Sequence, residues 1–420
     1  NLYHGIGATN TTHYGADIGD NRIQQAWAQV QKEAKFLERR KEIAAWNGAH
    51  ARVKRGLAVT PVKFGISFTL THYNQAGALV HIYQDGTVQV NHGGTEMGQG
   101  LHTKILGVAM RELGLPASAI RMMPTSTDKV PNTSATAASA GADLNGAAVR
   151  NACTTLRERM APVAAKLLTK AIEEGLHTDL RVDIATPERG ERDLPLVHVS
   201  EVMFADGVVS VLPSPRRAAV VSVPFAKVAI QCYIERVSLS TTGYYATPGI
   251  HWNWETVSGK PFAYYACGAA VAEVEVDGYT GMSRVRRVDI VHDVGNSLNP
   301  GVDRGQIEGG FVQGMGWLTS EELKWDAAGR LLTHSASTYQ IPAIGDAPME
   351  FNVTLLPDAA NDKAVHGSKA VGEPPLMLAI SVREAIRDAV ANFGIAGGQV
   401  ALASPATGEA VWRAVQLRAK

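Results

Sequence analysis

The chain shows the same order of predicted elements twice, and this order limits the folds that it can adopt. Residues 78–90 alternate apolar and polar side chains on both sides of an Asp-Gly pair, which is typical of a hairpin turn. A glycine-rich loop and an amphipathic helix over 101–113 follow. Residues 269–291 and a helix over 306–322 have the same layout. The pattern predicts an α+β fold with two related hairpin-loop-helix subdomains.

Three predicted regions differ in composition. Residues 1–60 form a helical connecting arm, with a long polar helix expected over 21–46. Residues 61–230 form the first subdomain and contain an inserted region near 175–229, where charged residues and prolines become frequent. Residues 231–420 form the second subdomain. Further strands are expected at residues 56–61, 63–69, 120–123, 338–342 and 349–356.

Charge and cysteine content narrow the class of protein. The 420 residues include 40 basic and 40 acidic side chains, so no overall field favours nucleic acid or an anionic membrane. Three widely spaced cysteines argue against a disulfide framework and against a thiolate metal site. The sequence has no run of about eighteen apolar residues. These observations predict a cytoplasmic protein without nucleic-acid or membrane partners. Because position 1 is not Met, we also expect the chain to be a piece of a longer protein.

Glu373 is the first candidate functional residue. It stands between a glycine and two prolines, where a helix over residues 374–393 is predicted to begin. Glu is not among the residues favoured at a helix cap, so capping alone does not explain it. The N–H groups of the helix start favour an ionised carboxylate, which can act as a base. A buried structural glutamate is the alternative at this point.

A glycine-rich loop and two glutamines are further candidates. Residues 93–100 precede a predicted helix, and such loops expose backbone N–H groups that bind anions. The loop lacks the Gly-x-Gly-x-x-Gly and P-loop patterns, so ordinary nucleotide binding is disfavoured, and the nearby histidines lack zinc-motif spacing. Gln99 and Gln306 carry amides that can bind the edge of a heterocycle. Hydrogen bonding to the backbone is their alternative role.

Phe68 and Thr69 form a third candidate pair. The ring of Phe68 can stack on a flat substrate, and the hydroxyl of Thr69 can form a hydrogen bond with it. A core phenylalanine is the alternative.

Five segments of the chain follow one another in a recognisable order. They are KFGISFT (63–69), NQAGALV (74–80), HGGTEMGQGLHTK (92–104), TAAS (136–139) and SKAVGEPPL (368–376). In this order they resemble the xanthine dehydrogenase/oxidase family. The resemblance extends over about residues 1–410, apart from 175–229, and corresponds to the C-terminal part of the family's molybdopterin-binding portion.

The resemblance implies molybdenum-dependent hydroxylation of a purine, xanthine or hypoxanthine, to urate with water-derived oxygen. It implies a molybdenum–molybdopterin cofactor of the dioxothio type, in which the pterin dithiolene holds the metal. Electrons would pass through 2Fe-2S clusters to FAD on other domains or chains. A related hydroxylase of aldehydes or N-heterocycles and a cofactor-free scaffold or assembly module are the alternatives.

The resemblance also implies roles for individual residues. Glu373 matches the general base, and Phe68 and Thr69 match substrate-binding positions. The positions matched to cofactor contacts are Met97, Gly98, Gln99, Ala138, Ser139 and Gln306. The backbone of Ala138 would also reach the ligand sphere of the molybdenum.

The same resemblance implies several partners. The family's upstream glycine loop, second substrate-binding glutamate and substrate-binding arginines are not found in this chain. We therefore expect the remaining half of the molybdopterin-binding portion, iron–sulfur and FAD domains or subunits, and a purine as partners, in a dimer of the full assembly. Residues 61–230 and 231–420 would be two molybdopterin-binding subdomains, the second carrying Glu373, and the chain would not be active alone.

Overall fold

The computed structural model describes residues 10–129, 133–137, 139–174, 197–213, 220–394 and 399–418. The helices are α1 (Ile23–Glu33), α2 (Phe36–Ala49), α3 (Leu101–Leu113), α4 (Gly141–Glu173), α5 (Phe225–Ile234), α6 (Pro300–Thr319), α7 (Pro374–Leu378), α8 (Ile380–Ala391) and α9 (Gly408–Arg418). The strands are β1 (Val53–Ile66), β2 (Gln75–Ile82), β3 (Val88–His92), β4 (Ile120–Met122), β5 (Met203–Ala205), β6 (Val208–Val211), β7 (Val221–Pro224), β8 (Ser240–Ala246), β9 (His251–Asn253), β10 (Ser258–Lys260), β11 (Tyr264–Asp277), β12 (Ser283–His292) and β13 (Glu350–Leu355).

The chain forms two compact units. Unit 1 comprises Asn1–Thr69, Gly249–Lys363 and Gly367–Lys420. Unit 2 comprises Leu70–Pro248 and Ala364–His366. Among the described residues, no helix has an apolar stretch long enough to cross a bilayer.

Unit 1 is built on a sheet with strand order β1-β11-β12-β13. Successive side chains of β11 point to opposite faces, so Val274 packs against α6 and α8, whereas Val271 packs against α1. Both faces are therefore buried, which explains the almost continuous apolar run of β11. Gly56 in β1 allows α8 to approach closely, because a Cβ there would lie 1.9 Å from the carbonyl oxygen of Ala385.

Unit 2 is built on a sheet with strand order β4-β3-β2-β8, against which α3 and α4 pack. Gly243 in β8 meets α4 directly, since a Cβ on this glycine would lie 2.0 Å from the carbonyl oxygen of Ala148. A smaller sheet, β5-β6-β7, lies in the same unit.

Both predicted hairpins are confirmed. The first is β2–β3, with Gly86 at φ +83°, and the second is β11–β12. The helix over 101–113 coincides with α3 and ends at Gly114, which has φ +64°. Helix α6 begins earlier than predicted, because the side chain of Asn299 accepts the N–H of Val302 at 3.0 Å and caps the helix.

Some predicted elements differ in the structure. The polar helix over 21–46 is two helices, separated where Lys35 adopts φ +49°. The strands 56–61 and 63–69 are one strand, β1, because Pro61 lies on an edge strand and can be accommodated there. The prediction of a strand at 338–342 is wrong, since the N–H of Tyr339 donates to the carbonyl of Ser335 at 2.8 Å and closes a turn.

The two units also divide the chain differently from the boundaries predicted at residues 60 and 230. Part of the predicted arm is β1, which pairs with β11 from Val53 to Ile66 and thereby joins unit 1. The strand that completes the first hairpin sheet, β8, lies beyond residue 230. The assignment of the two stretches as molybdopterin-binding subdomains stays a prediction.

Candidate active site

Glu373 lies at the N-cap position of α7 in unit 1 and is exposed. Its side chain makes no capping hydrogen bond with α7, and its carbonyl accepts the N–H of Leu376 at 3.2 Å. The buried alternative is therefore wrong. The two prolines that follow are buried and fix the backbone direction immediately after the carboxylate.

Helix α6 holds this helix start in place through glycines. A Cβ on Gly310 would lie 3.2 Å from the Cβ of Pro375, and a Cβ on Gly314 would lie 2.2 Å from the carbonyl oxygen of Leu376. A side chain at Gly314 would therefore clash with the backbone of α7, and one at Gly310 would be tight against Pro375. Gln306 lies one turn before Gly310 on the same helix and is half-buried.

The segment that leads to Glu373 is bonded to the end of β12 and to β11. The N–H of Lys369 donates to the carbonyl of Val294 at 2.8 Å, and the N–H of Ala370 donates to the hydroxyl of Tyr264 at 2.9 Å. The ammonium group of Lys369 forms an ion pair with Asp293. Burial raises the pKa of Asp293, and the charge of Lys369 opposes this rise.

Phe68 and Thr69 follow β1 in unit 1, and both are half-buried. Phe68 is therefore not a fully buried core residue. The preceding residue, Ser67, has φ +150°, a backbone conformation that side chains disfavour. Its Oγ accepts the N–H of Ala263 at 3.3 Å, so a strained residue bonded to a neighbouring segment determines where Phe68 lies.

The glycine loop at residues 93–100 lies in unit 2, and the carboxylate of Glu96 organises it. Its oxygens accept the N–H groups of Gly98 at 2.9 Å, Gly100 at 3.0 Å and His102 at 2.9 Å. Burial alone would raise the pKa of Glu96, but these three hydrogen bonds outweigh it and hold the pKa below its usual value. The helix-start N–H groups predicted to bind an external anion thus bind Glu96.

Gln99 also forms hydrogen bonds within this loop. Its Oε1 accepts the N–H of Met97 at 2.5 Å, and its Nε2 donates to the carbonyl of Thr95 at 2.9 Å. Met97 is 59% exposed, and Gly98 has open space where a Cβ would be. The loop therefore presents an open face formed by backbone and a flexible apolar side chain.

A second segment of unit 2 adjoins the glycine loop. The N–H of Thr95 donates to Oγ1 of Thr136 at 2.9 Å, which brings the TAAS segment beside the loop. Ser139 is buried just before α4. Ala138 lies outside the described residues.

Two histidines lie beneath the loop. The ring centroids of His92 and His102 are 4.9 Å apart, and the Nε2 atom of each is buried without a hydrogen-bond partner among the residues that the structure describes. His92 Nδ1 accepts the N–H of Gly94 at 3.1 Å. Burial, together with the charge of His102, lowers the pKa of His92 to about 4.

The chain matches the family model described as the molybdopterin cofactor-binding domain over residues 29–348. The chain belongs to the molybdopterin cofactor-binding domain family. It is 42% identical over 414 residues to xanthine dehydrogenase/oxidase of Gallus gallus, covering 98% of this chain and 26% of the chicken protein. It is also 42% identical over 409 residues to xanthine dehydrogenase of Oryza sativa subsp. japonica, covering 95% of this chain and 26% of the rice protein. The predicted family resemblance is confirmed, and the chain spans about a quarter of the length of these relatives.

Solved structures confirm the predicted fold class. Quinoline 2-oxidoreductase from Pseudomonas putida 86 is similar with a TM-score of 0.78 at 24% identity, over 98% of this chain and 48% of that chain. Aldehyde oxidoreductase from Desulfovibrio desulfuricans is similar with a TM-score of 0.69 at 22% identity, over 96% of this chain and 36% of that chain. At these identities the likeness shows the fold alone, which is an α+β fold shared with the matching parts of these two proteins.

The residues of this molybdopterin-binding chain fit the family's cofactor. The glycine loop offers an open backbone face at Gly98 and an amide at Gln99 whose hydrogen bonds can be exchanged for bonds to a ligand. On α6, Gln306 adjoins Gly305, which also has open space where a Cβ would be. In each unit taken by itself, an amide next to open backbone offers polar contacts of the kind that bind the edge of a ligand.

The sequence prediction missed three residues that shape the site. Glu96 was not among the candidates, although a carboxylate within a glycine loop before a helix is itself a signal for capping. Asp293 and Lys369 are far apart in sequence, so nothing local indicated their pairing. Phe68, Thr69, Gln306 and Glu373 share unit 1, whereas Met97, Gly98, Gln99 and Ser139 share unit 2.

Proposed function

We propose that this chain is part of a molybdenum hydroxylase that oxidises a purine, xanthine or hypoxanthine, with Glu373 as the general base. The observation that carries the proposal is an exposed carboxylate held by buried prolines and by close helix packing, in a chain 42% identical to xanthine dehydrogenases. A base needs a fixed position near the proton that it accepts. The exposure of Glu373 and the rigid backbone around it support both requirements.

The residues proposed to hold the molybdenum–molybdopterin cofactor, of the dioxothio type, are Met97, Gly98, Gln99, Ala138, Ser139 and Gln306. When bound, this group would supply the two-electron oxidation of the substrate carbon. Gln99 and Gln306 bind polar edges through their amides, and Gly98 permits contact with the backbone because it has no side chain. The backbone of Ala138 is proposed to lie next to the ligand sphere of the metal.

The substrate is proposed to contact Phe68 and Thr69. The ring of Phe68 stacks on the flat purine and excludes water from one of its faces. The hydroxyl of Thr69 forms a hydrogen bond with a ring nitrogen or carbonyl and fixes the purine's orientation in its plane. Glu373 then accepts, at a carboxylate oxygen, the proton of the water-derived hydroxyl group that attacks the purine carbon.

The complete enzyme requires regions beyond this chain, which spans about a quarter of the length of its relatives. The proposed partners are the remaining half of the molybdopterin-binding portion, and 2Fe-2S and FAD domains or subunits that carry electrons away. A cytoplasmic dimer of the full assembly is proposed from the family resemblance.

Replacing Glu373 tests the proposal. In the assembled enzyme, Glu373→Gln keeps the size of the side chain but removes the base, so turnover of xanthine should fall by about 10²–10⁴-fold. Molybdenum content, measured by elemental analysis, should stay unchanged. Glu409→Gln, at an exposed position on α9, is the control and should have wild-type turnover. Retained activity in Glu373→Gln would refute the role of Glu373, and faster turnover of benzaldehyde than of xanthine would refute the purine assignment.

Phe68→Ala tests the substrate contact separately. The Michaelis constant for xanthine should rise at unchanged molybdenum content, because the variant loses a stacking surface and no cofactor contact. Parallel loss of the metal would indicate a packing role for Phe68 instead.

A further inference from the structure

A buried ion pair lies at the base of the segment that carries Glu373. Lys369 is 4% exposed and Asp293 is 0% exposed, and the ammonium group contacts the carboxylate directly. The other oxygen of Asp293 accepts the N–H of Gly295 at 3.0 Å. Asp20 is a more distant neighbour, with its Oδ2 atom 3.6 Å from Nζ of Lys369. The charged groups of Lys369 and Asp293 are thus both buried and form an ion pair with each other.

The chain between Lys369 and Glu373 has little freedom. Ala370 and Val371 are 3% and 2% exposed, and the N–H of Ala370 is bonded to Tyr264. Only Gly372 separates this anchored stretch from Glu373. A displacement of Lys369 would therefore be transmitted to the carboxylate instead of being absorbed by a flexible linker.

The backbone on both sides of the ion pair is equally constrained. Gly295 has φ +61°, and a Cβ on it would lie 2.4 Å from the carbonyl oxygen of Gly367 and 2.9 Å from the N–H nitrogen of Lys369. The N–H of Asn296 donates to the same Gly367 carbonyl at 2.8 Å. The two segments, 293–296 and 367–370, are therefore joined in one register.

Stability alone does not require charges at this place. The cost of removing two charges from water is about as large as their mutual attraction, so an apolar pair of similar volume would hold the core equally well. An ion pair differs from an apolar contact in direction, because it favours one arrangement of defined atoms. The arrangement that it favours here fixes the start of the Glu373 segment.

We propose that Lys369 and Asp293 are positioning residues for the reaction, which fix the register of residues 367–371 against 293–296 and thereby the location of the Glu373 carboxylate. The inference rests on the proposed function of Glu373. Neither residue is assigned contact with substrate or cofactor.

The test compares a single and a double variant of the assembled enzyme. Lys369→Met leaves a buried unpaired carboxylate, so the melting temperature should fall by several degrees. Lys369→Met/Asp293→Asn removes both charges, while the amide oxygen can still accept the Gly295 N–H. The melting temperature of the double variant should return close to the wild-type value. Its kcat should be about 10²-fold lower than that of the wild type, because the Glu373 carboxylate is misplaced. KM and molybdenum content should change little.

Amide hydrogen exchange provides a second measurement, which does not depend on enzyme activity. Hydrogen exchange of the backbone amides at residues 369–373 should be faster in the double variant than in the wild type, at equal melting temperature. Lys166→Met is the matched control, because it removes an exposed ion pair with Glu235 at 2.8 Å, and it should change neither exchange nor kcat. If Lys369→Met yields no folded enzyme, the double variant alone decides.

The outcomes separate this inference from the proposed function. A double variant with wild-type kcat and wild-type amide exchange would overturn the positioning role, even if Glu373→Gln is inactive. Full turnover in Glu373→Gln would overturn the proposed function, while amide exchange would still report on the ion pair. Support for both requires that Glu373→Gln costs less in the double-variant background than in the wild type, since the two changes then act on one group.

Discussion

Gly314 on α6 packs against Leu376 on α7 so closely that a Cβ on the glycine would lie 2.2 Å from the Leu376 carbonyl oxygen. The contact fixes how deeply α7 lies in unit 1, and Glu373 is the residue immediately before this helix. A glycine on one helix thus determines where a carboxylate on another segment is presented.

Gly314→Ala should therefore impair the enzyme without touching substrate. The added methyl group forces α7 outward, at a cost of about 1–3 kcal/mol in the free energy of unfolding, and turnover should fall at least about tenfold. Urea denaturation and steady-state kinetics measure the two effects. Gly309→Ala on the same helix is the control, because its Cβ would meet open space, and it should be neutral or stabilise by up to about 1 kcal/mol. Equal behaviour of the two variants would contradict the packing argument.

Glu96→Ala should destabilise unit 2 by about 0.5–2 kcal/mol, the usual effect of losing a helix cap. The carboxylate accepts three backbone N–H groups at the start of α3, and these would lose their protein partner. Because the pKa of Glu96 is lowered, its contribution is present above the ordinary glutamate pKa and is lost as pH falls through the lowered value. Denaturation curves at neutral and acidic pH test this prediction, and a deficit that does not shrink in acid would be inconsistent with it.

Ser67→Gly should stabilise the chain, or leave its stability unchanged, while weakening substrate binding. Glycine adopts φ +150° without the strain that serine carries, which is about 1–3 kcal/mol, although the hydrogen bond from Ala263 is lost. Ser67→Ala keeps the strain and also loses that bond, so it should be the less stable of the two. A higher KM for xanthine in Ser67→Gly would show that the strained residue holds Phe68 in place, and an unchanged KM would show that it does not.

His292 should make the chain sensitive to acid. Burial lowers its pKa to about 4, so the unfolded chain binds a proton between about pH 6.5 and pH 4 that the folded chain excludes. The free energy of unfolding should consequently fall as pH falls through this window, by up to about 3 kcal/mol. His292→Phe should reduce this dependence in denaturation measurements, whereas His251→Phe, at an exposed position, should leave it intact. An unaltered pH slope in His292→Phe would argue against a buried neutral imidazole.

The sequence was informative where a pattern is local. The Asp85-Gly86 turn predicted the hairpin β2–β3, and the apolar period of residues 101–113 predicted α3 with its glycine end. The prediction of two strands at 56–61 and 63–69 instead of β1 failed because the partner that extends this strand, β11, is some two hundred residues away. No local rule shows such a partner.

By itself, the sequence determined the α+β class, the two hairpins, the family and the candidate residues around Glu373, because periodicity, turn chemistry and motif order are written in neighbouring residues. Tertiary structure alone decided that Gly314 limits the depth of α7 and that Lys369 meets Asp293. The physical reason is that these contacts depend on distances and burial between segments. Such contacts arise only when a sheet brings remote residues within a few ångströms of each other.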